Sequence, residues 1–347
     1  NVSLRTRLIV LLIYALVPMF PFYAMSGVKD TIYTSLMIFY GLFMYCFAKK
    51  ISFSWKGYAL FFVNTLLLAL FRSNGVYVVL LSLPWLILFR KQYRKMLAVI
   101  LIAFCTLYFS YDKVLLPSLK ITSGSEREML SIPFQQTARL AKEYPESFTK
   151  KEKETVDKVL DFETLGKRYK PEISDPVKNE YNPHTTKQEL KDYFKVWFQG
   201  LTKHPEVYME ATLNNVYGYF YPGHTRWYIY SNYYSLINDK GVVDYHYNSL
   251  DPLREVLTAW GDSFPYIPIL GMISNIGFNG WLLLILSVYA LIRKKQEYLF
   301  VLLPSLVSLL ICIASPVNAY FRYAMPYVFF MPFLISVFVE DLKRKDK

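Results

Sequence analysis

Eight apolar runs constrain this chain more than any other feature. They cover residues 8–25, 32–47, 58–71, 76–89, 96–111, 266–292, 298–314 and 323–339. They read as bilayer spans: several are shorter than the ~20 residues a perpendicular helix needs, but flanking Trp55, Tyr58, Trp85 and Tyr266 extend them into the interfacial belt. A long polar insert, 112–265, separates the fifth run from the sixth.

The net charge of +12 would suit a nucleic-acid binder if it formed one patch, but it does not. From 113 to 265, 20 Lys and Arg face 21 Asp and Glu. Of the 19 basic residues elsewhere, 16 lie at Arg5 and Arg7, in the clusters 49–56, 90–95 and 293–295, and in the tail from Lys343. These are alternate loops, the pattern of positive residues kept on the cytoplasmic side. The expected fold is therefore mainly α: a polytopic helical membrane protein of about eight spans with a helical extracytoplasmic insert. Both termini are expected in the cytoplasm, nucleic acid is excluded as a partner, and membrane lipids are expected neighbours. The expected divisions are 1–111 and 266–347 for the membrane helices and 112–265 for the insert.

The stretch 58–89 is interrupted only by Arg72-Ser73-Asn74-Gly75. As one helix it would run roughly 48 Å, too long for a core of ~30 Å, so a hairpin turning at 72–75 is expected. Cys46, Cys105 and Cys312 all fall in apolar runs and read as small packing residues. The chain opens on Asn1 without a signal-like segment, so a further N-terminal portion is expected upstream.

In the insert, helices are expected over 131–144, 149–160, 186–201 and 205–217. Thr149 and Glu152 have capping-box spacing, Leu190, Tyr193, Phe194, Trp197 and Leu201 recur at helical intervals, and Pro205 suits a first turn. Residues 169–184, with three prolines, are expected to form an irregular loop. The tyrosine-rich segment 217–234 suits either an aromatic core resting on the bilayer or direct contact with sugar or lipid.

Three cations break the charge alternation: Lys29, Arg72 and Arg322, each in a different short outward loop, with Asp30 beside Lys29. Charge at that depth either snorkels, pairs with an acidic neighbour, or serves a substrate. Arginine forks and lysine fit a lipid-linked phosphate, while a carboxylate can deprotonate an acceptor hydroxyl. Asp30 is thus the candidate catalytic base, and Lys29, Arg72 and Arg322 the candidate phosphate ligands. Candidate sugar or acceptor ligands are Asn74, Gln135, Gln136, Arg139, Tyr221, His224 and Tyr323. Gln135, Gln136 and Arg139 either face a reaction chamber or bond to local backbone. The four histidines lack metal-ligand spacing, no cofactor is assigned, and a divalent cation remains compatible with Asp30.

Val28-Lys29-Asp30 in a short outward loop and Arg322-Tyr323-Ala324-Met325-Pro326 in a late one resemble the GT-C class of glycosyltransferases. Three further stretches resemble an uncharacterised Gram-positive multi-pass family grouped with that class: Ser131-Ile132-Pro133-Phe134-Gln135-Gln136-Thr137-Ala138-Arg139, Ser174-Asp175-Pro176-Val177-Lys178 and Tyr217-Gly218-Tyr219-Phe220-Tyr221-Pro222. The resemblance implies a GT-C architecture, a polyprenyl-phosphate-linked sugar donor, a cell-envelope glycan or lipid acceptor, and Lys29 as a phosphate ligand. GT-C enzymes carry their catalytic carboxylate in the first outward loop. The loop 26–30 looks more like a later one, which would put that carboxylate upstream and leave Asp30 beside it or facing a metal. A flippase for lipid-linked saccharides and a non-catalytic envelope scaffold are the alternative expectations.

Overall fold

The computed structural model describes residues 2–121, 126–223, 250–314 and 317–343. It is almost entirely helical, and no strand forms among the described residues. The chain divides into two compact units. One comprises Asn1–Tyr111, Phe220–Leu310 and Tyr320–Lys347; the other comprises Asp112–Tyr219 and Ile311–Ala319. The first boundary falls where the polarity of the sequence changes. A late segment, Ile311–Ala319, joins the polar unit.

The apolar unit contains α1 (Leu4–Leu16), α2 (Met19–Met25), α3 (Lys29–Ala48), α4 (Trp55–Phe71), α5 (Asn74–Phe89) and α6 (Arg94–Ser110). Four helical stretches of the described chain are long and apolar enough to cross a membrane: α3, Lys91–Ser118 (α6 with its flanking turns), Gln296–Ile313 and Phe321–Lys343. The run 8–25 is not one straight helix. Val17 is extended and Pro18 starts a new helix, so α1 and α2 meet at a 58° bend. The run 266–292 is helical only from Ile276, because Pro265, Pro268 and Gly271 break its first part into 3-10 turns. The hairpin at 72–75 forms as expected. Gly75 permits it, since a Cβ there would collide with the Leu68 carbonyl of α4.

The polar unit holds α7 (Ser131–Glu143), α8 (Lys150–Asp157), α9 (Phe162–Arg168), α10 (Asp175–Lys178), α11 (Lys187–Lys203) and α12 (Pro205–Val216). Capping boxes start α8 at Thr149 and α11 at Thr186. Phe134, Val156, Leu160, Leu165, Tyr193 and Tyr208 meet in its core. Part of the expected loop at 169–184 is ordered as α10, and Ile173 pairs with both Lys170 and Val317. Three more bonds fix the late segment: Asn318 N donates to Glu172 O at 2.9 Å, Gly218 N to Asn318 Oδ1 at 2.8 Å, and Tyr219 Oη to Val317 O at 2.8 Å.

The remaining helices of the apolar unit are α13 (Asp251–Ser263), α14 (Ile276–Ile292), α15 (Gln296–Ile313, of which the unit takes residues to Leu310) and α16 (Phe321–Lys343). Helix α16 packs on α3, where Gly41 leaves room for the Phe330 ring. The basic clusters collect at one end of these helices. Lys49 lies 3.7 Å from Glu297, Arg90 donates to Ala48 O at 3.0 Å, Lys295 pairs with Asp341, and Thr6 donates to Glu340 at 2.6 Å.

Two stability predictions follow from these contacts. Gly75→Ala should destabilise the protein by about 1–3 kcal/mol, because the obstacle is backbone and cannot rotate away; thermal unfolding in detergent would register it. In the polar unit, Lys178 is buried, which by itself would lower its pKa. Hydrogen bonds and charge from Asp175 and Glu128, at 2.8 and 2.5 Å, outweigh that and raise it. A raised lysine stabilises fully below its ordinary value of 10.5, and that contribution disappears as pH climbs through the folded-state value. Burial also pushes the Tyr193 and Tyr208 hydroxyls up, which steepens the same alkaline limb. Lys178→Met should therefore reduce, without abolishing, the loss of stability in alkaline melts followed by circular dichroism.

Candidate functional site

Opposite the basic end, three charged residues of the apolar unit converge. Asp30 sits in the first turn of α3, where a carboxylate is favoured by the helix dipole, and is 1% exposed. Arg72 ends α4 at the hairpin, and Arg322 stands in the first turn of α16. Arg72 Nη1 donates to Asp30 Oδ1. Arg322 Nε and Nη2 donate to Asp30 Oδ2 at 2.8 and 2.5 Å. Residues 42 and 292 positions apart from Asp30 thus share one carboxylate. Both carboxylate oxygens are occupied, and the trio carries a net charge of +1.

Aromatic rings line the two guanidinium groups. Arg72 lies 4.7 Å from the Tyr323 ring centroid and 5.8 Å from that of Tyr33. Arg322 lies 5.7 Å from the Tyr320 ring and donates to its hydroxyl at 3.2 Å. Such rings favour a cation while restricting its hydration. Tyr33 and Tyr320 were not singled out by sequence reasoning. The one available signal was their spacing, three residues after Asp30 and two before Arg322.

The other expected site residues separate into groups. Lys29, next to Asp30 in the first turn of α3, is exposed and makes no ion pair with the described residues. Asn74 opens α5 beside Arg72 and is half-buried. Tyr221 is exposed in the apolar unit, with the Asn275 amide donating to the neighbouring Pro222 carbonyl. His224 lies outside the described residues, as does most of the aromatic segment 217–234.

Gln135, Gln136 and Arg139 belong to the polar unit and are committed to holding it together. Gln135 Nε2 donates to Lys170 O and Ile173 O at 2.8 and 3.3 Å. Gln136 accepts from Trp197 Nε1 at 2.9 Å and donates to Thr212 Oγ1 at 2.9 Å, joining α7 to α11 and α12. Arg139 pairs with Glu143 at 3.0 Å and with Glu210. Gln135 bonds to backbone, one of the two expectations, whereas Gln136 and Arg139 bond mainly to side chains of neighbouring helices. Among the described residues no group of three or more His, Cys, Asp and Glu could hold a metal ion. Asp30 could take a cation only by giving up a guanidinium.

Breaking one side of this trio leaves an uncompensated buried charge. Asp30→Ala should cost about 3–5 kcal/mol, more than either arginine singly replaced by methionine, because two cations then face each other without a counter-ion. Thermal unfolding of the purified protein would give the order, and an Asp30→Ala protein as stable as wild type would remove the trio as a structural tie.

The comparisons with known proteins are short. No curated protein and no solved structure matches the chain. A family profile matches residues 1–347, and on that match the chain belongs to DUF6020, a family of unknown function.

Proposed function

We propose that this chain is a multi-pass membrane glycosyltransferase of GT-C type. It takes a sugar from a polyprenyl-phosphate carrier and transfers it to a cell-envelope glycan or lipid on the outer face. The eight apolar runs are its spans, the polar unit stands outside the cell, and the basic end faces the cytoplasm with both termini of the sequence. Segregation of the basic clusters to the end opposite Asp30 supports this orientation, as does the alternation of charge along the sequence.

One observation carries the reading: Arg72 and Arg322 are drawn together on one buried carboxylate at the outward end. Two guanidinium forks offer more donors than one carboxylate can accept, and their surplus charge suits a phosphate diester. In the proposed reaction the donor phosphate enters between the arginines and displaces one or both from Asp30. The freed carboxylate then takes the proton of the acceptor hydroxyl. That hydroxyl oxygen bonds to the anomeric carbon while the bond from this carbon to the phosphate oxygen breaks. The electron pair leaves with polyprenyl phosphate, whose added charge the arginines stabilise. Lys29, exposed at the rim, supplies a third cation to the incoming headgroup.

The test uses the purified chain in vesicles containing a radiolabelled polyprenyl-phosphate sugar and extracted envelope glycan. Arg72→Ala and Arg322→Ala should each reduce transfer by about 10²–10³-fold. Arginine-to-lysine replacements should recover only part, since the planar fork is lost. Insertion and folding of each variant are checked by protease protection. Wild-type transfer by both alanine variants would refute the phosphate assignment.

A further inference from the structure

Helix α13 presents its apolar side outward. Leu253, Val256, Leu257 and Trp260 recur at three- and four-residue intervals, which places them on one narrow stripe. All four are exposed, between 40% and 66%. The protected side lies about a third of a turn round from the stripe, where Arg254 and Thr258 are half-buried and Gly261 is the helix's only buried residue, while Glu255 and Asp262, opposite the stripe, are exposed. A helix of a soluble domain would pack the other way round. Just beyond its end, Tyr266 and Ile269 are 86% and 81% exposed.

Neighbouring segments indicate what covers this stripe. Trp260 Nε1 donates to Leu16 O at 3.4 Å, which sets α13 beside the end of α1. There Leu12 and Leu16 are themselves exposed, so the apolar surface of α1 continues onto α13. Beyond the same end the chain turns through 270–274 into α14, whose Ile285, Val288 and Leu291 are exposed along an apolar helix. Asp251, Glu255 and Asp262 outnumber Arg254 on the polar side, so anionic lipid is not attracted by charge.

We propose that α13 lies in the plane of the membrane surface, with its stripe immersed among the acyl chains of lipids bearing uncharged or zwitterionic headgroups. The residues that would do this form an interfacial anchor: a Trp and a Tyr at headgroup depth and three aliphatic side chains below them. The inference rests on membrane insertion and is independent of glycosyl transfer.

Nitroxide labels placed one at a time by Leu253→Cys, Val256→Cys, Glu255→Cys and Ile285→Cys test it. The background is the full chain with Cys46, Cys105 and Cys312 replaced by alanine, in phosphatidylcholine vesicles. Oxygen should relax the labels at 253 and 256 about as strongly as the one at 285. A water-soluble nickel chelate should act several-fold more strongly at 255 than at 253, and added phosphatidylglycerol should change neither result. Equal access of the chelate to 253, 256 and 255 would mean that the stripe faces water and would overturn the proposal. Access of neither reagent to 253 and 256 would mean that protein covers them and would overturn it as well. Failure of oxygen to reach 285 would reject insertion itself, which separates the two failures. A gain in chelate protection on adding phosphatidylglycerol would overturn the choice of an uncharged surface.

Discussion

The apolar unit depends on a carboxylate that has no water to turn to. Asp30 is buried in the first turn of a long apolar helix, where an unpaired charge would be untenable. Two arginines from distant parts of the chain neutralise it, and in doing so they fix where α3, the α4–α5 hairpin and α16 meet. Burying a carboxylate between two partly buried arginines is a poor way to gain stability, since apolar residues of similar volume would serve at least as well. An arrangement with surplus positive charge, ringed by Tyr33, Tyr320 and Tyr323, is better suited to exchanging one anion for another.

At the far end of the same helices the pairing has a different character. Lys49 with Glu297, and Lys295 with Asp341, join loops through partly exposed groups. Such pairs contribute little individually and serve mainly to keep basic loops beside one another. One end of the helices is therefore built around a single buried carboxylate shared by two cations, and the other around separate pairs.

The parts of the fold that could be read from the sequence were those governed by local rules. Thr149 with Glu152 and Thr186 with Glu189 mark helix starts because the capping partners are three residues apart. The turn at 72–75 followed from the length limit on a spanning helix. The convergence of Arg72 and Arg322 followed from their departure from the charge pattern, while Lys29, singled out by the same logic, has an exposed side chain. One residue of helical rotation, about 100°, separates a buried Asp30 from an exposed Lys29, and loop charge alone does not report rotation. Gln135, Gln136 and Arg139 could not be resolved by sequence because an amide that satisfies a sugar also satisfies a neighbouring helix; which it meets depends on the packing of α7 against α11 and α12. The bend at Pro18 and the broken start of the run 266–292 interrupt stretches whose hydropathy is continuous.

The short segment Ile311–Ala319 has a consequence for how the molecule is made. It lies some ninety residues after the rest of the polar unit, yet its backbone and side chains bond to Glu172, Ile173, Gly218 and Tyr219. During synthesis the ribosome has delivered α7 to α12 long before this closing piece emerges. The polar unit must therefore wait, nearly complete, while further apolar helices are made. Its last backbone pairings report that this segment has arrived, so the polar unit matures only after α13, α14 and α15 have been made.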